Sequence, residues 1–193
     1  MKIRSVAVMA VMIGTSVLAN AVPADERKVM VCMAPMADIR LEKRTKAVSS
    51  GIFAEIGVKI QWRGLSNCPT EGILITFSNE TPASVMPGAL AYALPHEGRH
   101  IVVFFDRVTK KPGYVSILLG HVIAHEVTHI LQGMVRHSES GVMKANWTGA
   151  DYQQMSREPL QFTDHDVLLI YLGLKAREAS QPSRGGDREP VAR

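Results

Sequence analysis

The chain has 193 residues, of which 46% are hydrophobic and 21% charged, so it can form a domain with a hydrophobic core and is neither disordered throughout nor a coiled coil. Its net charge of +4 is modest, and much of the basic excess lies near the two ends. Basic residues form no stripe interleaved with aromatic residues, which argues against a nucleic-acid partner.

The N-terminus has the three parts of a signal peptide. Lys2 and Arg4 are basic, residues 5–18 are apolar and uncharged, and Ala19 and Ala21 are small. We predict cleavage after Ala21 and export to the periplasm or out of the cell, without stable membrane association afterwards. A membrane anchor is the alternative, but the apolar run is short of the roughly 20 residues that a spanning helix needs.

The chain has two cysteines, Cys32 and Cys68. Export would bring them into an oxidising compartment, where such a pair can form a disulfide. We expect this bridge, which would stabilise the fold by roughly 3 to 4.5 kcal/mol if it acts by restricting the unfolded chain. Two buried free thiols are the alternative.

Hydrophobic patterns predict the order strand, helix, four strands, helix, irregular segment and helix. The strands are predicted at residues 28–36, 58–62, 72–77, 89–94 and 101–105. The helices are predicted at residues 37–56, ended by Gly57, at 116–131, ended by Gly133, and from the N-cap Thr163 onward. Residues 138–151 are rich in Ser, Gly and Asn and are predicted to be irregular.

Two early strands that flank a helix favour a crossover connection in a mixed, mostly parallel sheet. We therefore predict one α+β domain over residues 22–178, with a helix that backs the sheet and a second, long helix that carries the chemistry. A small irregular lower subdomain with a C-terminal helix completes it. Residues 179–193, rich in Ser, Pro, Gly and Arg, are predicted to form a disordered basic tail.

The long helix carries His125, Glu126 and His129. Histidines four residues apart lie on one helix face, about 6 Å apart along the axis, so both imidazoles can bind one metal ion. Glu126 can reach a water on that metal, whose pKa zinc lowers to near 7. A helix with surface-facing His and Glu is the alternative. The apolar residues around the motif argue against it, because unpartnered buried polar groups are costly.

A catalytic zinc site needs a third protein ligand. Gly133 can end the helix with a positive φ, and His137 can then return to the metal. The rivals are Glu139 and, more distant, Asp164, His165 and Asp166. His121 lies one turn before His125, and we expect it to be a structural histidine, with a role in the pocket as the alternative.

With these residues the sequence resembles the metzincin clan of zinc metallopeptidases. That family has the motif H-E-x-x-H-x-x-G-x-x-H, followed by a methionine-containing turn beneath the zinc; here HEVTHILQGMVRH is followed by SESGVMKANW. The resemblance implies a zincin-like fold and a role for each of six residues. The zinc ligands would be His125, His129 and His137, the general base Glu126, the turn glycine Gly133 and the turn methionine Met143.

The sequence departs from the family pattern in three places. Gly133 comes one residue later than in the motif, and His137 two residues later. Ala145 stands where some members have a tyrosine.

The resemblance also implies that the strand at residues 89–94 is the sheet edge above the cleft, where an extended peptide can pair by β-augmentation. An ordinary core strand is the alternative.

The sequence thus predicts a secreted, monomeric zinc endopeptidase with one catalytic zinc ion and a peptide or protein substrate. One alternative keeps the zinc but acts on a cell-wall peptide or another amide. The other is a non-catalytic secreted binding protein with a vestigial metal site. Glu126 argues against the latter, because a structural metal site needs no base.

Overall fold

The computed structural model describes residues 27–110 and 113–180. The predicted signal peptide lies outside these residues, as does the predicted tail beyond residue 180. The strands are β1 (Arg27–Met33), β2 (Val58–Gly64), β3 (Ile73–Ser78), β4 (Ala91–Ala93) and β5 (His100–Phe104). The helices are α1 (Ile39–Ala54), α2 (Phe105–Val108), α3 (Val115–Gln132), α4 (Gly149–Met155) and α5 (Asp164–Ala179), with a 3-10 turn at Leu65–Asn67.

The five strands form one sheet in the order β2-β1-β3-β5-β4. β1, β2, β3 and β5 run parallel to one another, whereas β4 pairs antiparallel with β5 at one edge. β1 and β2 are connected through α1, as parallel neighbours require a crossover. The predicted mixed, mostly parallel sheet in a single α+β domain is confirmed.

The long helix α3 lies at the centre of the molecule. Residues 118–132 are all buried, between α1, α5 and the β4–β5 side of the sheet. α5 approaches α3 so closely that a Cβ at Gly173 would lie 1.7 Å from the Leu131 carbonyl oxygen, so only glycine fits there. Within the described residues no helix combines the length and apolar character needed to cross a membrane.

Cys32 and Cys68 form the expected disulfide, with a Cα–Cα distance of 5.7 Å. Cys32 is fully buried in β1, and Cys68 follows the 3-10 turn after β2. The bridge therefore ties a central strand to the connection between β2 and β3.

The structure corrects three predictions of local structure. The strand predicted at residues 89–94 is only Ala91–Ala93, and Phe105 begins helix α2 instead of ending a strand. The segment predicted to be irregular up to residue 151 contains the start of α4. This helix begins at a capping box, in which the Thr148 hydroxyl and the Asp151 carboxylate bind each other's backbone N–H groups.

Candidate metal centre

The end of α3 directs the chain back toward its own histidines. Gly133 caps the helix with φ 66°, and its N–H donates to the His129 carbonyl at 3.0 Å. The left-handed conformation is the one in which glycine lacks the Cβ penalty, as expected for this position. Residues 134–138, here named the third-ligand loop, follow directly.

His125 and His129 point the same nitrogen at each other. Their Nε2 atoms are 3.0 Å apart. The Nδ1–H of His125 donates to the Val142 carbonyl at 2.8 Å, and that of His129 to the Met134 carbonyl at 3.1 Å. Because a carbonyl only accepts, each ring carries its hydrogen on Nδ1 and presents a lone pair on Nε2. Two facing lone pairs repel each other, and a cation between them removes that repulsion.

The imidazole rings of His125 and His129 are both neutral at pH 7. Burial, together with repulsion from His129, lowers the pKa of His125 to about 3. Burial lowers the pKa of His129 to about 4. Neutral imidazole is the form that binds metals, so at pH 7 no proton has to be displaced from either ring.

His137 joins this pair from the third-ligand loop. Its ring centroid lies 5.2 Å from that of His125 and 5.0 Å from that of His129. Within residues 27–110 and 113–180, these three histidines are the one group of His, Cys, Asp or Glu whose ligand atoms, all within 4.8 Å of one another, could hold a metal ion. The rivals Glu139, Asp164, His165 and Asp166 are outside it. The structure therefore brings together the three ligands that the sequence predicted, despite the longer spacing.

Glu126 lies beside the first ligand and is 8% exposed. Burial raises the pKa of its carboxyl to about 8. A divalent cation at the three imidazoles would lower this pKa again, because a nearby positive charge favours the carboxylate. A metal ion in this place would thus give Glu126 the ionised form that a base requires.

The site opens into a cleft of about 920 Å³. One wall is the edge strand β4 with the residues before it, and the other contains Ala145, Asn146, Trp147 and Tyr152. β4 thus lies at the sheet edge and along the cleft, as predicted. Arg107 supports this wall by donating from Nη1 to the carbonyls of Met86 at 2.8 Å and Ala89 at 2.6 Å.

The chain turns around Met143, in a segment here named the methionine turn (residues 142–145). Met143 is fully buried, and its carbonyl accepts the Ser138 N–H at 2.8 Å. Val142 supplies the carbonyl that binds His125, and its own N–H donates to Gln161 at 3.0 Å. The turn therefore supports both His125 and the third-ligand loop.

His121 has a structural role, as expected. Its Nδ1–H donates to the Ile117 carbonyl at 2.8 Å, and its Nε2 accepts the Leu160 N–H at 3.0 Å. Both nitrogens of this fully buried ring are therefore occupied by the backbone. The rings of His121 and Trp147 pack edge to face, with centroids 6.2 Å apart. Trp147 packs in the same way against His125, with centroids 5.7 Å apart, and therefore lies in contact with both histidines.

The sequence did not indicate three residues that line the cleft: Trp147, Tyr152 and Arg107. No spacing pattern ties them to the histidines, because they reach the cleft from separate elements. Asp166 was predicted to lie in the first turn of the last helix and was considered as a distant metal ligand, but its carboxylate binds Arg136 and Ser138. A local signal for its role as a helix cap existed, since Thr163 stands three residues before it.

No protein-family model matches this sequence, and no curated protein matches it. Among solved structures, it is similar to archaemetzincin from Methanopyrus kandleri, at 16% identity and a TM-score of 0.53, over 80% of this chain and 99% of that chain. A further similar structure is archaemetzincin from Archaeoglobus fulgidus complexed with malonate, at 14% identity and a TM-score of 0.49, over 75% of this chain and 100% of that chain. The first likeness spans nearly the whole of the archaemetzincin domain. The chain therefore has the archaemetzincin fold, in agreement with the metzincin-like resemblance of its motif.

Proposed function

We propose that the chain is an exported zinc-dependent endopeptidase. The observation that carries this proposal is the convergence of His125, His129 and His137 beside the carboxyl of Glu126, in an open cleft. A binding protein with a structural metal has no need of a buried carboxyl next to its ligands. The archaemetzincin fold supports the proposal, as do the motif residues.

The donor set fits zinc. Three imidazole nitrogens are typical ligands of a catalytic zinc ion, which keeps a fourth position open. The Nδ1 hydrogens of His125 and His129 are bound by backbone carbonyls, an arrangement that orients metal-binding histidines in many proteins. When bound, zinc would supply a Lewis acid that polarises the scissile carbonyl and acidifies a water molecule.

The protein's own residues would perform the remaining steps. The Glu126 carboxylate accepts the proton of the attacking water and then delivers it to the leaving amine nitrogen. Within the described part of the chain, β4 pairs on one side only, with β5. Its other edge can pair with the backbone of an extended substrate and hold the scissile bond over Glu126.

Metal analysis and hydrolysis of a denatured protein test this proposal with Glu126→Gln and Glu139→Gln. We expect the wild type to bind one zinc ion per chain. Glu126→Gln should keep the zinc and lose about 10²- to 10⁴-fold in activity, the usual contribution of a general base. Glu139→Gln, an exposed residue outside the histidine group, should match the wild type in both measurements. A wild type without zinc, or an active Glu126→Gln, would refute the proposal.

The same assay separates the substrate alternatives. Hydrolysis of isolated cell-wall peptides, without hydrolysis of unfolded protein, would assign the zinc chemistry to cell-wall amides instead. Zinc binding without hydrolysis of either substrate would support a non-catalytic binding protein.

Export is part of the proposal and rests on the signal peptide pattern at residues 1–21 and on the disulfide, which an oxidising compartment favours. Mass spectrometry of the protein recovered from its native cells tests it. We expect a chain that begins at Val22, and recovery of a chain that retains residues 1–21 in the cytoplasm would contradict it.

A further inference from the structure

The third metal ligand has an unusual support. His137 lies in an irregular loop and is exposed, unlike His125 and His129, which the buried helix α3 fixes in place. The stretch from His129 to His137 is also two residues longer than in the family motif, with one of the extra residues after Gly133. Another contact must therefore hold the His137 ring where it meets the other two.

That contact is made by the residues on either side of His137. Arg136 Nη1 donates to Asp166 Oδ1 at 2.8 Å, and Ser138 Oγ donates to the same oxygen at 2.7 Å. The Asp166 side chain is fully buried. One oxygen of a buried carboxylate thus holds both neighbours of the third ligand.

The other oxygen of Asp166 is bound to a different part of the chain. Oδ2 accepts the Thr163 N–H at 3.1 Å and the Thr163 hydroxyl at 2.7 Å, which together cap the first turn of α5. The carboxylate therefore joins the start of a packed helix to the third-ligand loop. On the far side of the loop, the Ser138 N–H donates to the Met143 carbonyl, so Ser138 is held between α5 and the methionine turn.

We infer that Asp166 is a positioning residue for the third metal ligand: by holding Arg136 and Ser138 with one carboxylate oxygen, it keeps the His137 imidazole against His125 and His129. The inference deepens the proposed function and rests on it, because it requires a metal ion at the three histidines. Groups that hold metal ligands through hydrogen bonds commonly contribute about 10- to 100-fold to metal affinity. Such hydrogen bonds hold the ligand in its binding position before the metal binds.

The competing explanation is that Asp166 only caps α5. Its two oxygens have different partners, so the two roles can be separated by mutation. The variant Arg136→Met with Ser138→Ala removes the contacts to Oδ1 and leaves the cap. The variant Thr163→Ala removes a contact to Oδ2 and leaves the loop contacts. Asp166→Asn weakens both sets, because an amide has only one acceptor oxygen.

The test measures Zn²⁺ affinity of the purified protein by competition with a chelator, and the visible absorption of the Co²⁺-substituted form. We expect Arg136→Met/Ser138→Ala and Asp166→Asn each to bind Zn²⁺ about 10- to 100-fold more weakly than the wild type. Their Co²⁺ spectra should weaken as well, because loss of one imidazole shifts the ion from tetrahedral toward higher coordination. Thr163→Ala should lower the melting temperature. It should keep the wild-type spectrum and retain the Zn²⁺ affinity within about twofold, because the bonds of Arg136 and Ser138 to Asp166 Oδ1 remain.

If the loop variant, Arg136→Met/Ser138→Ala, matches the wild type in Zn²⁺ affinity and Co²⁺ spectrum, this inference is overturned and the proposed function stands. Equal weakening by the loop variant and by Thr163→Ala would also overturn it, because the effect would then follow the helix cap. Absence of Zn²⁺ binding in the wild type would overturn the proposed function and this inference together.

Discussion

The Nδ1–H of His125 donates to the carbonyl of Val142, 17 positions later in the chain, at 2.8 Å. This bond decides which nitrogen of His125 faces the other two histidines of the candidate metal centre. Val142 is held in turn, because its N–H donates to Gln161 at 3.0 Å and Met143 beside it is fully buried. The methionine turn thus orients the His125 ring.

Replacement of Met143 should therefore affect both stability and metal binding. We expect Met143→Ala to lower the free energy of unfolding by about 2–5 kcal/mol, as for other fully buried methionines, and to weaken Zn²⁺ binding because Val142 loses its support. Met143→Leu nearly conserves volume and should cost less than about 1.5 kcal/mol. Denaturant unfolding and chelator competition measure the two effects. Equal Zn²⁺ affinity in all three proteins would show that the turn does not orient His125.

A pair of glycine variants tests whether the backbone at Gly133 matters apart from packing. A Cβ at Gly133 or at Gly51 would meet nothing within 4 Å, so neither substitution creates a clash. Gly133 has φ 66°, and we expect Gly133→Ala to lower the free energy of unfolding by about 1–2 kcal/mol. Gly51 lies within α1, where alanine should stabilise by about 0.5–1 kcal/mol. Thermal unfolding of both variants checks the opposite signs, and a stabilised Gly133→Ala would contradict the argument.

The parts of the site that the sequence predicted are those with local causes. The spacing of His125 and His129 follows from helix geometry, and Gly133 carries the conformational signal for the end of that helix. The order of strands and helices along the chain followed in outline from apolar runs. Each of these features depends on residues within a few positions of one another.

The features that could not be predicted depend on distant residues. The sequence predicted His137 as the third ligand, but it did not predict the support of its loop through Arg136 and Asp166, which are 30 positions apart. A strand was predicted at residues 89–94, but its true bounds, Ala91–Ala93, follow from pairing with β5, because so short a segment shows no periodicity that marks its ends. Helix α4 is a different case, because its capping signal in Thr148 and Asp151 is local but lies in a segment with little apolar periodicity.

The disulfide offers a test of stability that is independent of the metal. Because Cys32 is buried in the central part of the sheet, we expect Cys32→Ala/Cys68→Ala to lose about 2–5 kcal/mol of unfolding free energy. Reduction of the wild type should produce a loss of similar size, and the same reductant should leave the double variant unchanged. Denaturant unfolding with and without reductant makes the comparison. A wild type that is insensitive to complete reduction would show that the bridge contributes little to stability.

His121 should make stability depend on pH. Burial lowers the pKa of its imidazole below 6.5, the value for an unfolded chain, although the bond to Ile117 opposes the shift. Above pH 6.5 the ring is neutral in both states, and its contribution to stability is fully present. As the pH falls below 6.5, only the unfolded state gains the proton, so stability declines by up to about 1.4 kcal/mol per pH unit until the folded pKa is reached.

In His121→Gln this pH-dependent contribution of the imidazole to stability is absent. We therefore expect the variant to be less stable than the wild type at pH 7.5, and the difference to shrink by pH 5.5, as measured by denaturant unfolding at matched Zn²⁺. A difference that stays constant between the two pH values would mean that His121 takes up a proton equally well in both states.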